Sequence, residues 1–225
     1  MMSGDVLVVS PHCDDAVFSC GDFLVAHPRA SVVTIFAGRP QSGSALTDWD
    51  AAAGFMPCDD VIAARRTEDR SALTLLGARP LWLEFREAQY GSSPDAGEIG
   101  RTVAALVGKL RPRTLVLPLG LFHSDHDLAH RATIPLVDRA IARTILWYED
   151  AIYRRLPGLV GTRLRQLSVA GFALRRATPA RAGAASARKR WAVRCYGSQL
   201  RALQSTGRPG VDDAFREETL WRLAN

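Results

Sequence analysis

The chain has 225 residues, of which 47% are hydrophobic and 23% are charged. This composition is typical of a globular protein, and the length favours one large domain over residues 1–225. No segment reaches the roughly 18 consecutive apolar residues of a membrane span, and the N-terminus lacks a signal-peptide pattern. We therefore expect a cytoplasmic protein without a membrane span. Its four cysteines form no CxxC pair, so reduced thiols are expected in preference to a disulfide framework.

The net charge of +6 is unevenly distributed. Residues 1–150 hold 14 Lys/Arg and 19 Asp/Glu, whereas residues 151–211 hold 13 Lys/Arg and no acid. The simplest interpretation of this basic stretch is a solvated face. The alternative hypothesis is a pocket wall that favours a substrate bearing phosphate or carboxylate. Because regularly interleaved aromatic residues are missing, we expect no nucleic-acid partner. The densest bases are Arg175, Arg176, Arg188, Lys189 and Arg190.

Apolar runs alternate with segments of helical spacing along the first two thirds of the chain. The elements predicted in chain order are a strand at 5–10, a helix at 16–27, a strand at 30–37, a long loop at 38–56, a helix at 59–76, a strand at 78–85, a helix at 99–110, a strand at 114–119, a helix at 127–142 and a strand at 144–148. The continuous apolar runs are typical of strands buried on both faces. This alternation predicts an α/β fold: a single Rossmann-like domain with a mostly parallel central sheet flanked by helices.

The part after residue 150 has a weaker pattern. We predict one or two strands between 160 and 177, followed by helices near 184–206 and 213–223. In this interpretation residues 1–150 form the core that bears the active site, and the basic part at 151–225 completes the fold.

Two polar clusters follow strands that common doubly wound sheets place side by side. The sequence PHCDD, which contains His12, Asp14 and Asp15, comes directly after the first strand. The sequence HSDH, from His123 to His126, comes just after the fourth. Because the carboxyl ends of neighbouring parallel strands face one crevice, we expect both clusters to converge there.

The residue types in these clusters point to metal chemistry. Two histidines and one aspartate would supply the three protein ligands of a catalytic zinc site, which keeps one position open for water. A second aspartate could take a proton from that water, and a further histidine could stabilise or protonate what forms. The same ligands also accept ferrous iron.

The sequence SPHCDDAVFSCG and the later HSDH resemble the PIG-L/LmbE-like zinc-dependent N-deacetylases, whose hallmark is (A/S)(H/P)xxDD(E) followed by HxDH. Further similar segments occur in the same order, so that the resemblance covers roughly residues 5–205. They are AGRP, Trp49, RRTEDRSALTLLGA, FREAQYG, WYED and RCYGSQL. The resemblance implies hydrolysis of the acetamide of an N-acetylglucosamine-like sugar or glycoconjugate by a zinc-bound water. It implies a small-molecule partner and leaves a homo-oligomer open.

Carried over by position, the resemblance implies a role for each site residue. The implied metal ligands are His12, Asp15 and His126. The implied catalytic residues are Asp14 as general base, His123 as the group that polarises the oxyanion or protonates the amine, and Asp125, which orients His123. The implied substrate contacts are Arg65, Trp49 and Glu87, with Trp49 equally suited to anchoring its loop in the core.

The sequence departs from the family pattern at three positions. Ala16 stands where glutamate is usual, which is expected to leave Arg65 or another cation without a partner. Cys13 replaces a usual proline, and Glu87 stands where aspartate is common. None of these is an implied metal or base position, so we expect catalysis to survive.

Other interpretations remain open at this point. His126 and His130 imitate HExxH with Asp127 in place of glutamate, but that alternative leaves the first cluster unexplained. A non-catalytic Rossmann-like ligand-binding module would need no metal, although no GxGxxG follows the first strand. An amidase releasing a larger acyl group would use the same chemistry. Tyr148, Glu149 and Asp150 end the fifth strand near the same crevice, where they shape the pocket or close the strand.

Overall fold

Seven short segments form the strands of this protein in a computed structural model, which describes residues 5–41, 45–91, 93–138, 142–177 and 186–224. The strands are β1 (Val6–Ser10), β2 (Ser31–Thr34), β3 (Arg79–Trp82), β4 (Thr114–Pro118), β5 (Thr144–Tyr148), β6 (Leu174–Ala177) and β7 (Leu220–Leu223). They form one sheet in the order β3-β2-β1-β4-β5-β7-β6. Strands β1 to β5 pair in parallel, and β7 pairs antiparallel with both β5 and β6. The predicted α/β fold with a mostly parallel sheet is therefore confirmed.

Helices cover both faces of this sheet. They are α1 (Asp15–Ala26), α2 (Asp48–Ala52), α3 (Val61–Leu76), α4 (Ala96–Leu110), α5 (Ser124–Thr133), α6 (Pro135–Asp138), α7 (Leu159–Val169), α8 (Ser186–Arg194) and α9 (Gly197–Leu203). Short 3₁₀ helices occur at Ala88–Tyr90, Tyr153–Arg155 and Asp212–Phe215. No helix in the described part of the chain is both long and apolar enough to cross a membrane.

The central strand β1 shows why its sequence is a continuous apolar run. Val6 and Val8 belong to the core cluster beneath α1, α3 and α8, whereas Leu7 and Val9 belong to the cluster on the other face, beneath α4 and α5. Successive side chains of a strand point to opposite faces, so a strand covered on both sides needs apolar residues throughout. Burying each such side chain contributes roughly 1.5–3 kcal/mol.

Local signals set the ends of the long helices, although α4 begins three residues before its predicted start at residue 99. The Asp60 carboxylate accepts from the Ala63 backbone N–H at 3.1 Å at the start of α3. The same helix ends at Gly77, whose φ of 74° is left-handed and costs glycine little. At the start of α4, Asp95 accepts from the Glu98 N–H at 3.0 Å.

The C-terminal part differs most from its prediction. Of the one or two strands predicted between 160 and 177, one is found, β6 at Leu174–Ala177. The segment before it lies in α7, because Leu159, Val160, Leu164 and Leu167 recur at helical spacing and pack on the second core cluster. The helix predicted at 213–223, by contrast, is wrong. A 3₁₀ turn is followed there by β7, whose residues pair with both β5 and β6. The last two strands thus extend the sheet of the N-terminal part.

Smaller differences occur elsewhere. The loop predicted at 38–56 contains the short helix α2, and residues 42–44 lie outside the described residues. The helix predicted at 127–142 begins earlier, at Ser124, and divides into α5 and α6, with residues 139–141 outside the described part. The helices predicted near 184–206 are α8 and α9, although residues 184 and 185 are not described. All four cysteines are free.

The buried side chain of Tyr196 connects the C-terminal helices to the rest of the fold. Its hydroxyl donates to Asp69 Oδ1 at 2.8 Å and lies 3.1 Å from the carbonyl oxygen of Cys13. Asp69 also accepts from Trp82 Nε1 at 2.7 Å, and burial raises the pKa of its carboxyl to about 7. A buried carboxyl group needs these donors, because desolvation without a partner is costly.

We predict that Tyr196→Phe destabilises the protein by about 1–3 kcal/mol, the cost of leaving a buried polar group short of a partner. Urea denaturation monitored by circular dichroism measures the change. The matched control is Tyr153→Phe, since nothing in the described part of the chain hydrogen-bonds the Tyr153 hydroxyl. Equal stability of the two variants would contradict this account of Tyr196.

Candidate metal and catalytic site

The loop between β1 and α1 folds around its own polar side chains. Ser10 Oγ donates to the carbonyl oxygen of His12 at 2.6 Å and accepts from the Ala16 N–H at 3.0 Å. The His12 backbone N–H donates to Asp15 Oδ2 at 2.8 Å. Asp15 is the first residue of α1, where the positive end of the helix favours an ionised carboxylate.

A second turn, between β4 and α5, carries the other cluster. Gly120 has a φ of 75°, and a Cβ atom there would lie 2.4 Å from His130 Cβ and 2.7 Å from the carbonyl oxygen of His126. Only glycine therefore allows this turn. His123 caps α5, with its Nδ1 accepting from the Asp125 backbone N–H at 3.2 Å.

The two clusters meet because β4 lies next to β1 in the sheet. Asp15 Oδ2 lies 3.1 Å from both His12 Nδ1 and His126 Nε2. One potential ligand atom from each of these three residues falls within 4.8 Å of the others. A second such group in the described residues shares His12 and adds His123 and Asp125.

Asp150, just beyond β5, fixes the orientation of His126. Its Oδ1 lies 2.7 Å from His126 Nδ1, and its Oδ2 accepts from the backbone N–H groups of Gly120 at 2.8 Å and Leu121 at 3.1 Å. Since both amides can only donate, the Asp150 carboxylate is an acceptor and His126 carries a proton on Nδ1. In the neutral ring the lone pair of Nε2 then faces Asp15, the arrangement of a metal-binding histidine held by a carboxylate.

The charges of these groups compensate each other. Burial disfavours protonated His126, but the charge of Asp15 and the hydrogen bonds that the ring donates to Asp15 and Asp150 outweigh burial and raise the pKa of His126 to about 9. Burial likewise opposes ionisation of Asp15, yet His126 and His12 hold the pKa of its carboxyl far below the ordinary value. Protonated His126 therefore faces the ionised carboxylate of Asp15 at a point where a divalent cation would satisfy the same nitrogen and oxygen atoms. Two imidazoles and one carboxylate form a donor set that fits zinc or ferrous iron.

Burial shifts the pKa values of Asp14 and His123 so that the uncharged form of each group is favoured. Burial, reinforced by the charge of Asp15, raises the pKa of Asp14 to about 7. Burial and the positive charges of His12 and His126 lower the pKa of His123 to about 4. Because Nδ1 of neutral His123 accepts from a backbone N–H, its Nε2 carries the proton and can donate.

Asp125 occupies a different position from the one expected. Its Oδ2 lies 3.0 Å from His12 Nε2 and accepts from the Ala88 N–H at 3.1 Å. Its contact with His123 is made by the backbone N–H and not by the carboxylate. The side chain of Asp125 therefore orients His12.

The expected substrate contacts all line the same cavity, which has a volume of about 780 Å³. Arg65 is only 4% exposed and donates to Asp50 Oδ1 at 2.6 Å and to Glu87 Oε1 at 2.8 Å. The expectation that Arg65 lacks a partner is thus wrong, because two carboxylates from other segments take the place of the missing glutamate. Glu87 also accepts from Gln89.

Trp49 anchors its loop to the core and also lines the cavity. Its ring packs against the core cluster, and its Nε1 donates to Gln199 Oε1 at 3.0 Å. The Arg208 guanidinium lies 5.0 Å from the centre of the ring, so Arg208 covers part of the indole.

The basic stretch at 151–211 supplies part of the cavity wall. Of its described bases, Arg208 alone lines the cavity, whereas the denser groups on β6 and α8 do not. Buried Lys189, for example, donates to the carbonyl oxygen of Arg216 at 3.0 Å. Sequence patterns gave no signal for several wall residues, namely Ala151, Ile152, Tyr153, Leu156, Gln199 and Leu203.

His130 lies apart from the residues that could hold a metal ion. Its Nδ1 bonds to the carbonyl oxygen of Pro118 at 3.0 Å, and neither group of possible ligands in the described residues includes it. This geometry does not favour the alternative based on an HExxH-like pair.

Solved structures with this fold include proteins of different activity. The zinc-inhibited form of teicoplanin deacetylase has a TM-score of 0.78 at 21% identity, with 97% of each chain covered. The A40926 pseudoaglycone deacetylase has a TM-score of 0.75 at 23% identity, with 100% of this chain and 98% of that chain covered. The 4-carboxy-2-hydroxymuconate hydratase GalB of Pseudomonas putida has a TM-score of 0.58 at 17% identity, covering 98% and 96%. These similarities show a shared fold.

Two sequence comparisons bear on the family of this chain. No curated protein shows significant sequence similarity to this chain. The family model for PIG-L, described as GlcNAc-PI de-N-acetylase, matches residues 7–137. The match covers more than half of the chain and includes both polar clusters. The chain therefore belongs to the PIG-L family.

Proposed function

We propose that this protein is a metal-dependent N-deacetylase that hydrolyses the acetamide of an N-acetylglucosamine-like sugar or glycoconjugate. The observation that carries the proposal is the convergence of His12, Asp15 and His126 beside Asp14 in one cavity. The description of the PIG-L family model, and the deacetylases among proteins of the same fold, support it.

His12, Asp15 and His126 would hold the metal, for which zinc is the first candidate and ferrous iron the second. Two imidazoles and one carboxylate leave a coordination position open for water. When bound, such a cation lowers the pKa of water and polarises an acyl carbonyl. Asp150 keeps the ring of His126 in the required tautomer, and Asp125 does the same from Nε2 of His12.

Asp14 is the proposed general base. It lies beside the ligand Asp15, its pKa is raised by burial to about 7, and a base poised near neutrality is the most effective at that pH. It takes the proton of the water that attacks the acyl carbon.

His123 is proposed to act on the carbonyl oxygen of the amide. Its Nε2–H can donate to the oxyanion that develops on the carbonyl oxygen as water adds. Collapse of the tetrahedral carbon breaks the C–N bond, and the amine leaves with the proton that Asp14 took from water. The products are a carboxylic acid and a free amine.

The first prediction concerns the metal. Asp15→Ala should abolish stoichiometric zinc binding, and Asp150→Asn should weaken the affinity about 10- to 100-fold, because an amide cannot serve both His126 and the two backbone N–H groups. Competition with a chromogenic chelator measures the affinity.

Asp127→Asn is the control for both variants, since the Asp127 carboxylate is on the same helix as His126 but pairs with Arg131 and Arg163. Wild-type zinc affinity in Asp15→Ala would refute the ligand assignment.

The second prediction separates the base from the ligands. Asp14→Asn should retain zinc and lose about 10²- to 10⁴-fold in kcat, the range typical of general-base catalysis. Metal analysis and steady-state kinetics on the same preparation test this. Near-normal kcat with full zinc would identify another base, for which Asp125 is the first alternative.

The third prediction tests the reaction itself. The zinc-loaded protein, incubated with N-acetylglucosamine glycosides, should release acetate and free amine in equal amounts, and chelation should stop the release. N-butyryl analogues distinguish an amidase for larger acyl groups. Absence of acid release from every N-acyl sugar, with zinc bound, would reject the deacetylase and favour another reaction of this fold, such as hydration.

A further inference from the structure

Two aromatic side chains on the cavity wall lie beside His123 and His126 of the proposed site. The ring centres of Phe122 and Tyr153 are 5.4 Å apart at an angle of 30°, and both residues line the cavity. Tyr153 in turn stacks on His123 at 6.4 Å and meets His126 edge-on at 5.1 Å. A continuous aromatic surface therefore begins at the reacting groups and continues outward.

The large apolar side chain of Phe122 is not packed into the core. The residue is 70% exposed. A core residue would have a buried ring. The hydrophobic effect therefore contributes little to holding Phe122 in this position. By contrast, the indole of Trp49 on the cavity wall is partly covered by Arg208.

Both aromatic residues depend on unusual backbone. Phe122 has a φ of 63° within a three-residue turn closed by the His123 N–H and the carbonyl oxygen of Leu121 at 2.7 Å. Ile152, directly before Tyr153, has a φ of 76°. Left-handed backbone is unfavourable for bulky residues, above all β-branched ones, and persists only where other contacts enforce it.

Asp213 supplies the contacts that hold Ile152. It accepts from the Ile152 N–H at 2.7 Å, and from Arg154 Nε at 2.8 Å and Nη2 at 3.0 Å. Arg154 Nη2 also donates to the carbonyl oxygen of Glu217 at 2.7 Å. The residues on both sides of Tyr153 are therefore fixed by one buried carboxylate, which keeps the tyrosine ring against the histidines.

We propose that Phe122 and Tyr153 form a subsite for an apolar face of the substrate, either of its sugar ring or of a group attached to that ring. Phe122 is then a specificity-determining residue of the proposed deacetylase, on which this inference rests. Flat apolar faces stack well on aromatic rings. An exposed ring held at a strained position beside the reacting groups has such a face to offer.

The test compares Phe122→Asn with Phe122→Tyr in the zinc-loaded protein. Asparagine tolerates a positive φ, so it preserves the turn and removes only the ring, whereas tyrosine retains the ring. Isothermal titration calorimetry gives Kd for methyl and phenyl β-D-glucosaminide, amine products that are not turned over. We expect Phe122→Asn to weaken binding about 3- to 10-fold, the size of an aromatic contact, and Phe122→Tyr to stay within about twofold of wild type.

The two ligands distinguish the sources of the apolar face. Equal weakening for both ligands assigns the subsite to the sugar ring, and weakening for the phenyl glycoside alone assigns it to the attached group. If Phe122→Asn loses zinc, Phe122→Gly replaces it, because glycine adopts positive φ without strain.

Unchanged Kd values for both ligands, or no binding to zinc-loaded wild type, would overturn the subsite. Acetate release is measured in parallel. Release with a KM unaffected by Phe122→Asn refutes the subsite alone, whereas binding that depends on Phe122 without release refutes the deacetylase alone.

Discussion

The buried carboxylate of Asp150 is the contact on which the geometry of the site depends. It lies at the end of β5 and is completely buried, and it holds the turn after β4 through two backbone N–H groups and His126 through Nδ1. An ionised group in such a position is stable only when its oxygens are satisfied. The strands are adjacent in the sheet, so the register of β4 and β5 brings the carboxylate to these donors.

Other buried charged groups of the site are also paired with groups of opposite charge. Asp15 is ionised because two histidines face it. The buried guanidinium of Arg65 is likewise paired with the carboxylates of Asp50 and Glu87. Asp14, next to Asp15, is not paired in this way, and burial raises its pKa to about 7. Adjacent aspartates thus acquire different properties from their surroundings, one suited to binding a cation and the other to accepting a proton.

Helices and strands with a strong signal in their own residues could be predicted from the sequence. Buried strands β1 and β4 have unbroken apolar runs, and α3 has both a capping aspartate and a terminal glycine. The C-terminal part was harder to predict, because β7 is a strand only through its pairing with β5 and β6, and α7 carries its apolar residues on one narrow face. Pairing partners distant in sequence leave no periodic signal in the segment itself.

The sequence by itself determined the fold class and the two polar clusters, since their spacing relative to buried strands places them at one edge of a parallel sheet. Only the tertiary structure decided how the polar groups pair: Asp150 with His126, Asp125 with His12, and Asp50 with Arg65. It also decided that Ile152, Tyr153 and Gln199 line the cavity. The physical reason is that hydrogen bonds and burial depend on distances of a few ångströms between segments far apart in the chain, which strand adjacency and backbone strain fix.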